Sequence, residues 1–130
     1  MYKIEKASYG IRLIFGGFIQ KAEMSDWVAD VKKILNGLPA KFGVFVDMRE
    51  LKPLATDAQS EMQVGQKLFK EKGMERSVVV VDNTTTMIQF KHIGKETGIY
   101  AWERYLTPSK TPNWEEVATK WLVQGIDPDL

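Results

Sequence analysis

The chain opens on alternation: Tyr2 to Ala7 switches between apolar and polar residues, Ser8-Tyr9-Gly10 punctuates, and Ile11-Arg12-Leu13-Ile14-Phe15 follows before Gly16-Gly17. Period-two patterning rich in β-branched and aromatic residues, split by a short turn, predicts a β-hairpin. The period then changes. Met24, Trp27, Val28, Val31, Leu35 and Leu38 recur at helical spacing, with Asp26, Asp30, Lys32 and Lys33 off that stripe. Asn36-Gly37 and Pro39 end the helix. Phe42-Gly43-Val44-Phe45-Val46, closed by Asp47, and Ser77-Val78-Val79-Val80-Val81, closed by Asp82, are continuous apolar runs of the kind found in strands covered on both faces.

Between those runs, Thr56-Asp57-Ala58-Gln59 has capping-box spacing, which makes Thr56 the expected N-cap of a helix. Ala58, Met62, Gly65, Leu68 and Phe69 form its apolar stripe, and Gly73 ends it. A small residue such as Gly65 on that stripe predicts close approach to the sheet, at a cost of about 1 kcal/mol in helix propensity. Thr84-Thr85-Thr86 offers cap hydroxyls to a third helix that reaches Glu96 before Gly98, with Met87, Phe90 and Ile93 inward and Ile88 off the stripe. Tyr100 to Leu106 alternates as an edge strand would. Pro112 leads into a last helix whose stripe is Trp114, Val117, Ala118, Trp121 and Leu122, ended by Gly125.

The order is β-β-α-β-α-β-α-β-α. Apolar strands each followed by a helix imply parallel pairing through right-handed crossovers, and the opening hairpin makes the sheet mixed. The expected class is therefore α/β. No repeat, linker or low-complexity segment interrupts the 130 residues, which suit one domain.

Bulk composition narrows the function classes. The chain has no cysteine, which excludes a disulfide scaffold and thiolate metal sites and suits a reducing cytoplasm. A net charge of +1, with Lys32-Lys33 the longest basic cluster, gives no electrostatic argument for nucleic acid or an anionic membrane. The N-terminus lacks a signal-peptide core, and no stretch approaches the ~20 apolar residues of a transmembrane helix. A soluble, cytoplasmic protein is the expectation.

Open parallel sheets bind ligands at the carboxyl ends of their strands. There stand Asp47-Met48-Arg49-Glu50 and Asp82-Asn83-Thr84, so Asp47, Arg49, Asp82 and Thr84 form the candidate rim for a partner or ligand. Two neighbouring carboxylates could hold Mg²⁺ or serve in acid–base work. The plainer expectation is that each Asp accepts backbone bonds in its own turn, and that Arg49 forms a structural ion pair with Asp47 or Glu50. His92, the single histidine, is too few ligands for zinc and reads as an exposed helix residue. Neither a Gly-x-Ser-x-Gly elbow nor a phosphate loop is present. Tyr100, Trp102 and Tyr105 beside Arg104 suit sheet packing better than a base-stacking platform.

The hairpin, the Trp27 helix, Val44-Phe45-Val46-Asp47-Met48-Arg49, the Val78–Asp82 strand and the closing Trp114…Trp121-Leu122 helix together resemble the SpoIIAA-like branch of the sulfate-transporter and anti-sigma-factor-antagonist (STAS) family, whose layout is similar to Sec14-type lipid-binding domains. The resemblance covers nearly the whole chain. It implies a four- or five-stranded sheet with helices mainly on one face, and a non-catalytic role: antagonists of this family bind a partner protein and are switched by phosphorylation within an Asp-Ser-x-Gly-like segment at the start of a helix. The corresponding residues here are Leu54-Ala55-Thr56-Asp57-Ala58, which lack that pattern. Thr56 is the nearest hydroxyl and the candidate phospho-acceptor.

Three functions fit. The leading one is a regulatory or protein-interaction domain without catalysis or cofactor. The second is a module for a small apolar or lipid-like ligand, suggested by 6 Met and by 14 aromatics (4 Trp, 4 Tyr and 6 Phe) that could line an adaptable pocket. The third is a metal-dependent enzyme using Asp47 and Asp82. Homo-oligomerisation is left open.

Overall fold

The computed structural model describes residues 1–130. Five strands form one mixed sheet in the order β1 (Tyr2–Ala7), β2 (Gly10–Gly17), β3 (Phe42–Leu51), β4 (Met74–Val81) and β5 (Glu103–Leu106). The hairpin pair β1–β2 is antiparallel and every other neighbour is parallel, as the element order requires. The helices are α1 (Lys21–Leu35), α2 (Thr56–Lys72), α3 (Thr84–Thr97) and α4 (Trp114–Gln124). None is long and apolar enough to cross a membrane.

Strand alternation divides the sheet into two unequal cores. Ile11, Leu13, Phe15, Val44, Val46, Met48, Val79 and Val81 face one way and join Trp27, Met62, Phe69 and Phe90 from α1, α2 and α3 in a cluster of 24 buried residues. Phe45, Val78, Val80 and Leu106 face the other way, where Ala118, Trp121 and Leu122 of α4 close a cluster of seven. Helices therefore lie mainly on one face. Trp121 is anchored by more than burial, since its Nε1–H donates to the Ser77 carbonyl at 2.9 Å.

Several local expectations are corrected. β3 does not end at Asp47; it continues to Leu51, with a register shift against β2 between Ile14 and Gly16. A polar residue is tolerated inside the strand because Arg49, two positions on and on the same face, neutralises it. Thr56 does not cap α2. It is the first helical residue, Ala55 occupies the N-cap with extended backbone, and the Gln59 amide donates to the Leu54 carbonyl at 2.9 Å instead of closing a capping box. At α3 the cap is Asn83 and not one of the three threonines: its Oδ1 accepts the Thr86 N–H at 3.0 Å, while the Thr86 hydroxyl donates to the Leu51 carbonyl. Tyr100–Trp102 is a turn of 3₁₀ helix, so the last strand is only four residues long. Gly65 does ease a close approach, but to α1 and not to the sheet: a Cβ there would overlap the Trp27 ring.

Candidate functional site

Asp47 lies in the middle of β3 on the α4 face, with its side chain 9% exposed. Arg49 Nε–H donates to Oδ1 at 3.0 Å and its Nη2–H to Oδ2 at 2.9 Å, a paired arrangement that fixes both planes. The Arg49 backbone N–H adds a third bond at 3.2 Å. Burial pushes this carboxyl up, but the Arg49 hydrogen bonds and the charges of Arg49 and Arg12 outweigh it and hold Asp47 below its ordinary value. Arg12, from β2, reaches Asp47 at 4.0 Å and binds Glu115 of α4 at 2.5 Å. Each guanidinium also stacks on an aromatic ring, Arg12 over Phe45 at 4.3 Å and Arg49 over Trp114 at 4.5 Å. Two acids, two arginines and two rings thus tie α4 to the sheet.

The rest of the expected rim is only partly assembled. Asp82 is exposed just past β4, and it and Asp47 both bias the charge of Arg49. Asp82, Asn83, Arg49, Glu50 and Lys52 border a shallow depression of about 240 Å³. Thr84 is exposed at the first position of α3. No three carboxylate or histidine side chains are grouped so that they could hold a metal ion. A cation placed at Asp47 would meet two arginines first, which disfavours the metal reading. His92 is exposed on α3, 3.8 Å from Glu96.

Thr56 is separate from that rim. It is exposed at the first position of α2, whose neighbours Ala55 and Asp57 face the β2–α1 connection. Phe18, Gln20 and Lys21 on one side and Pro53, Ala55 and Asp57 on the other border an open concavity of about 530 Å³. Phe18 is 77% exposed while the adjacent Ile19 is 4% exposed. Ile19 therefore pins the connection to the core and leaves the neighbouring ring in solvent.

One group escaped the sequence reading. Glu103, at the start of β5, points into the larger core and is 5% exposed. Ser77 Oγ–H donates to its Oε2 at 2.9 Å, and the Tyr105 hydroxyl donates to its Oε1. No cation is bonded to it. Burial therefore dominates and, against the two hydroxyl donors, pushes its pKa up to about 7. Tyr105 is raised as well, by burial and by the Glu103 charge. The Tyr105 hydroxyl also lies 3.3 Å from the Phe90 carbonyl. Turning its proton there would free its oxygen to accept from a protonated Glu103, so both charge states can be satisfied. The clue in the sequence was Tyr105 itself: with period two, an inward Tyr105 makes Glu103 inward.

Beside Glu103 is a cavity of about 20 Å³, also lined by Ser77, Gln66, Met48, Met62 and Phe90. That is room for about one water. The bulky, soft side chains expected to line a ligand pocket are here, packed against one another. Comparison of the chain with protein families, curated proteins and solved structures finds no match.

Proposed function

We propose that this chain is a non-catalytic regulatory or protein-interaction domain of the STAS type, and that its partner docks on the end of the domain where Phe18 faces Ala55 and Asp57 at the start of α2. The observation that carries this reading is Phe18, 77% exposed beside an open concavity while its neighbour Ile19 is anchored in the core. A solvated aromatic ring next to a residue anchored in the core is the residue type that interfaces use as an anchor. Thr56, exposed between the bordering residues Ala55 and Asp57, would let an added phosphate alter that contact by charge alone.

The other readings have less support. A lipid-like ligand needs a pocket of roughly 300 Å³ or more, and the cavity among the methionines and aromatics is about 20 Å³. A metal-dependent reaction at Asp47 would have to displace Arg49 from both carboxylate oxygens.

Affinity capture from the source cell with wild type, Phe18→Ala and Thr56→Asp baits tests the proposal. The expected result is a specific protein held by wild type, lost with Phe18→Ala and changed in amount with Thr56→Asp, all three baits having the same melting temperature. Identical recovery by all three would remove this surface from consideration. A co-purifying lipid seen in native mass spectra would favour the second reading.

A further inference from the structure

β1 is the longer of the two sheet edges, six residues against four in β5. Its backbone polarity follows from one pair. Met1 and Gly16 exchange both main-chain bonds, N–H to O at 2.7 and 2.9 Å. Bonded and non-bonded pairs alternate along an antiparallel ladder. Lys3–Ile14, Glu5–Arg12 and Ala7–Gly10 are thus the further bonded pairs of the hairpin register. The N–H and C=O groups of Tyr2, Ile4 and Lys6 are then left pointing away from the sheet, a three-residue set symmetric about Ile4.

We propose that a second copy of this chain pairs antiparallel with this edge, the two-fold axis passing beside Ile4, so that two five-stranded sheets become one. Ile4 exchanges both bonds with the partner's Ile4, and Tyr2 does so with the partner's Lys6. Lys3 then stands opposite the partner's Glu5, twice by symmetry. Those are non-hydrogen-bonded pairs, where facing side chains are closest. Both residues are exposed, on the face away from α1. The next registers with the same bonding parity are worse, since one sets Lys3 against the partner's Lys3 and the other sets Glu5 against the partner's Glu5. On the helix side the partner's Lys6 approaches Asp30, which already accepts the Tyr2 hydroxyl at 2.5 Å. Half-buried Ile4 and Ile34 lie on that side too, beside the new strand. The contact is isologous and closes at two copies, so it does not propagate.

Charge reversal tests both the edge and its register. Wild type should sediment as a concentration-dependent dimer. Lys3→Glu and Glu5→Lys should each weaken dimerisation roughly ten- to a hundredfold, because two attractive pairs become repulsive. An equimolar mixture of the two variants should recover it as a heterodimer, because the two carboxylates of one chain then face the two ammonium groups of the other. Circular dichroism should be unchanged, the positions being exposed. A wild type that stays monomeric, single variants that dimerise as well as wild type, or a mixture that fails to recover would each overturn the proposal.

Discussion

On the face covered by α1, α2 and α3, Glu103 sits among hydroxyls with no cation in reach, and its affinity for protons rises toward neutrality. On the α4 face Asp47 sits between two arginines, and its affinity falls. Both carboxyls belong to buried residues. The difference lies in the cations on the strands: Arg49 of β3 and Arg12 of β2 face Asp47, and none is bonded to Glu103. The larger core is closed by apolar stripes that leave only Ser77 and Tyr105 for Glu103, whereas α4 arrives with Trp114 and Glu115, which seat and neutralise the arginines. Burial by itself therefore does not set the sign of a shift; the donors that share the burial do.

The sharpest way to break the comparison is to remove the lid of the smaller core. Trp121→Ala deletes the largest buried side chain of α4 together with its bond to Ser77, and should cost roughly 3–5 kcal/mol in urea unfolding. If the smaller core were incidental, the denaturation midpoint would hardly move.

Glu103 supplies a dependence on pH. Below its ordinary value of 4.5 both folded and unfolded chains hold the proton. Between 4.5 and about 7 only the folded chain does, so stability falls as pH rises through that window and levels off above it. At 1.36 kcal/mol per pKa unit the loss is on the order of 3 kcal/mol. Glu103→Gln should remove this slope between pH 4.5 and 7 in denaturation curves. A wild type with no more slope there than the variant would mean that the carboxyl finds a cation or solvent.

Asp47 should give the opposite sign and the smallest effect. Its contribution is present above its ordinary 3.8 and is lost as pH falls through its lower folded value. Asp47→Asn should cost about 1–3 kcal/mol at neutral pH, by stranding hydrogen-bonded arginines, and should flatten stability at acid pH. A neutral Asp47→Asn would show that Arg12 and Arg49 are satisfied by Glu115 and water alone.

What could be read from residues in order was local. Apolar runs at 42–46 and 77–81 mark strands covered on both faces, helical stripes mark α1 and α2, and Gly73 and Gly125 mark the stops of α2 and α4, because each signal repeats within a few residues and tertiary contacts reinforce it. The ion pair of Asp47 with Arg49 was legible for the same reason, being two positions apart on one strand face. Cap identity was less legible: Asn83 precedes three threonines that cap equally well in principle, and backbone geometry at the junction selects one. Thr56 had the right spacing, but Ala55 carries the extended backbone of the N-cap position.

The sequence by itself determined the order of elements and the mixed sheet, since periodicity and turn chemistry depend on near neighbours. Only the tertiary structure decided which polar groups far apart in sequence share an environment. Glu103 meets Ser77 across 26 positions, and Arg12 meets Glu115 across 103. The physical reason is that the charge state of a buried group depends on desolvation and on donors within a few ångströms, and neither quantity exists until the helices have docked on the sheet.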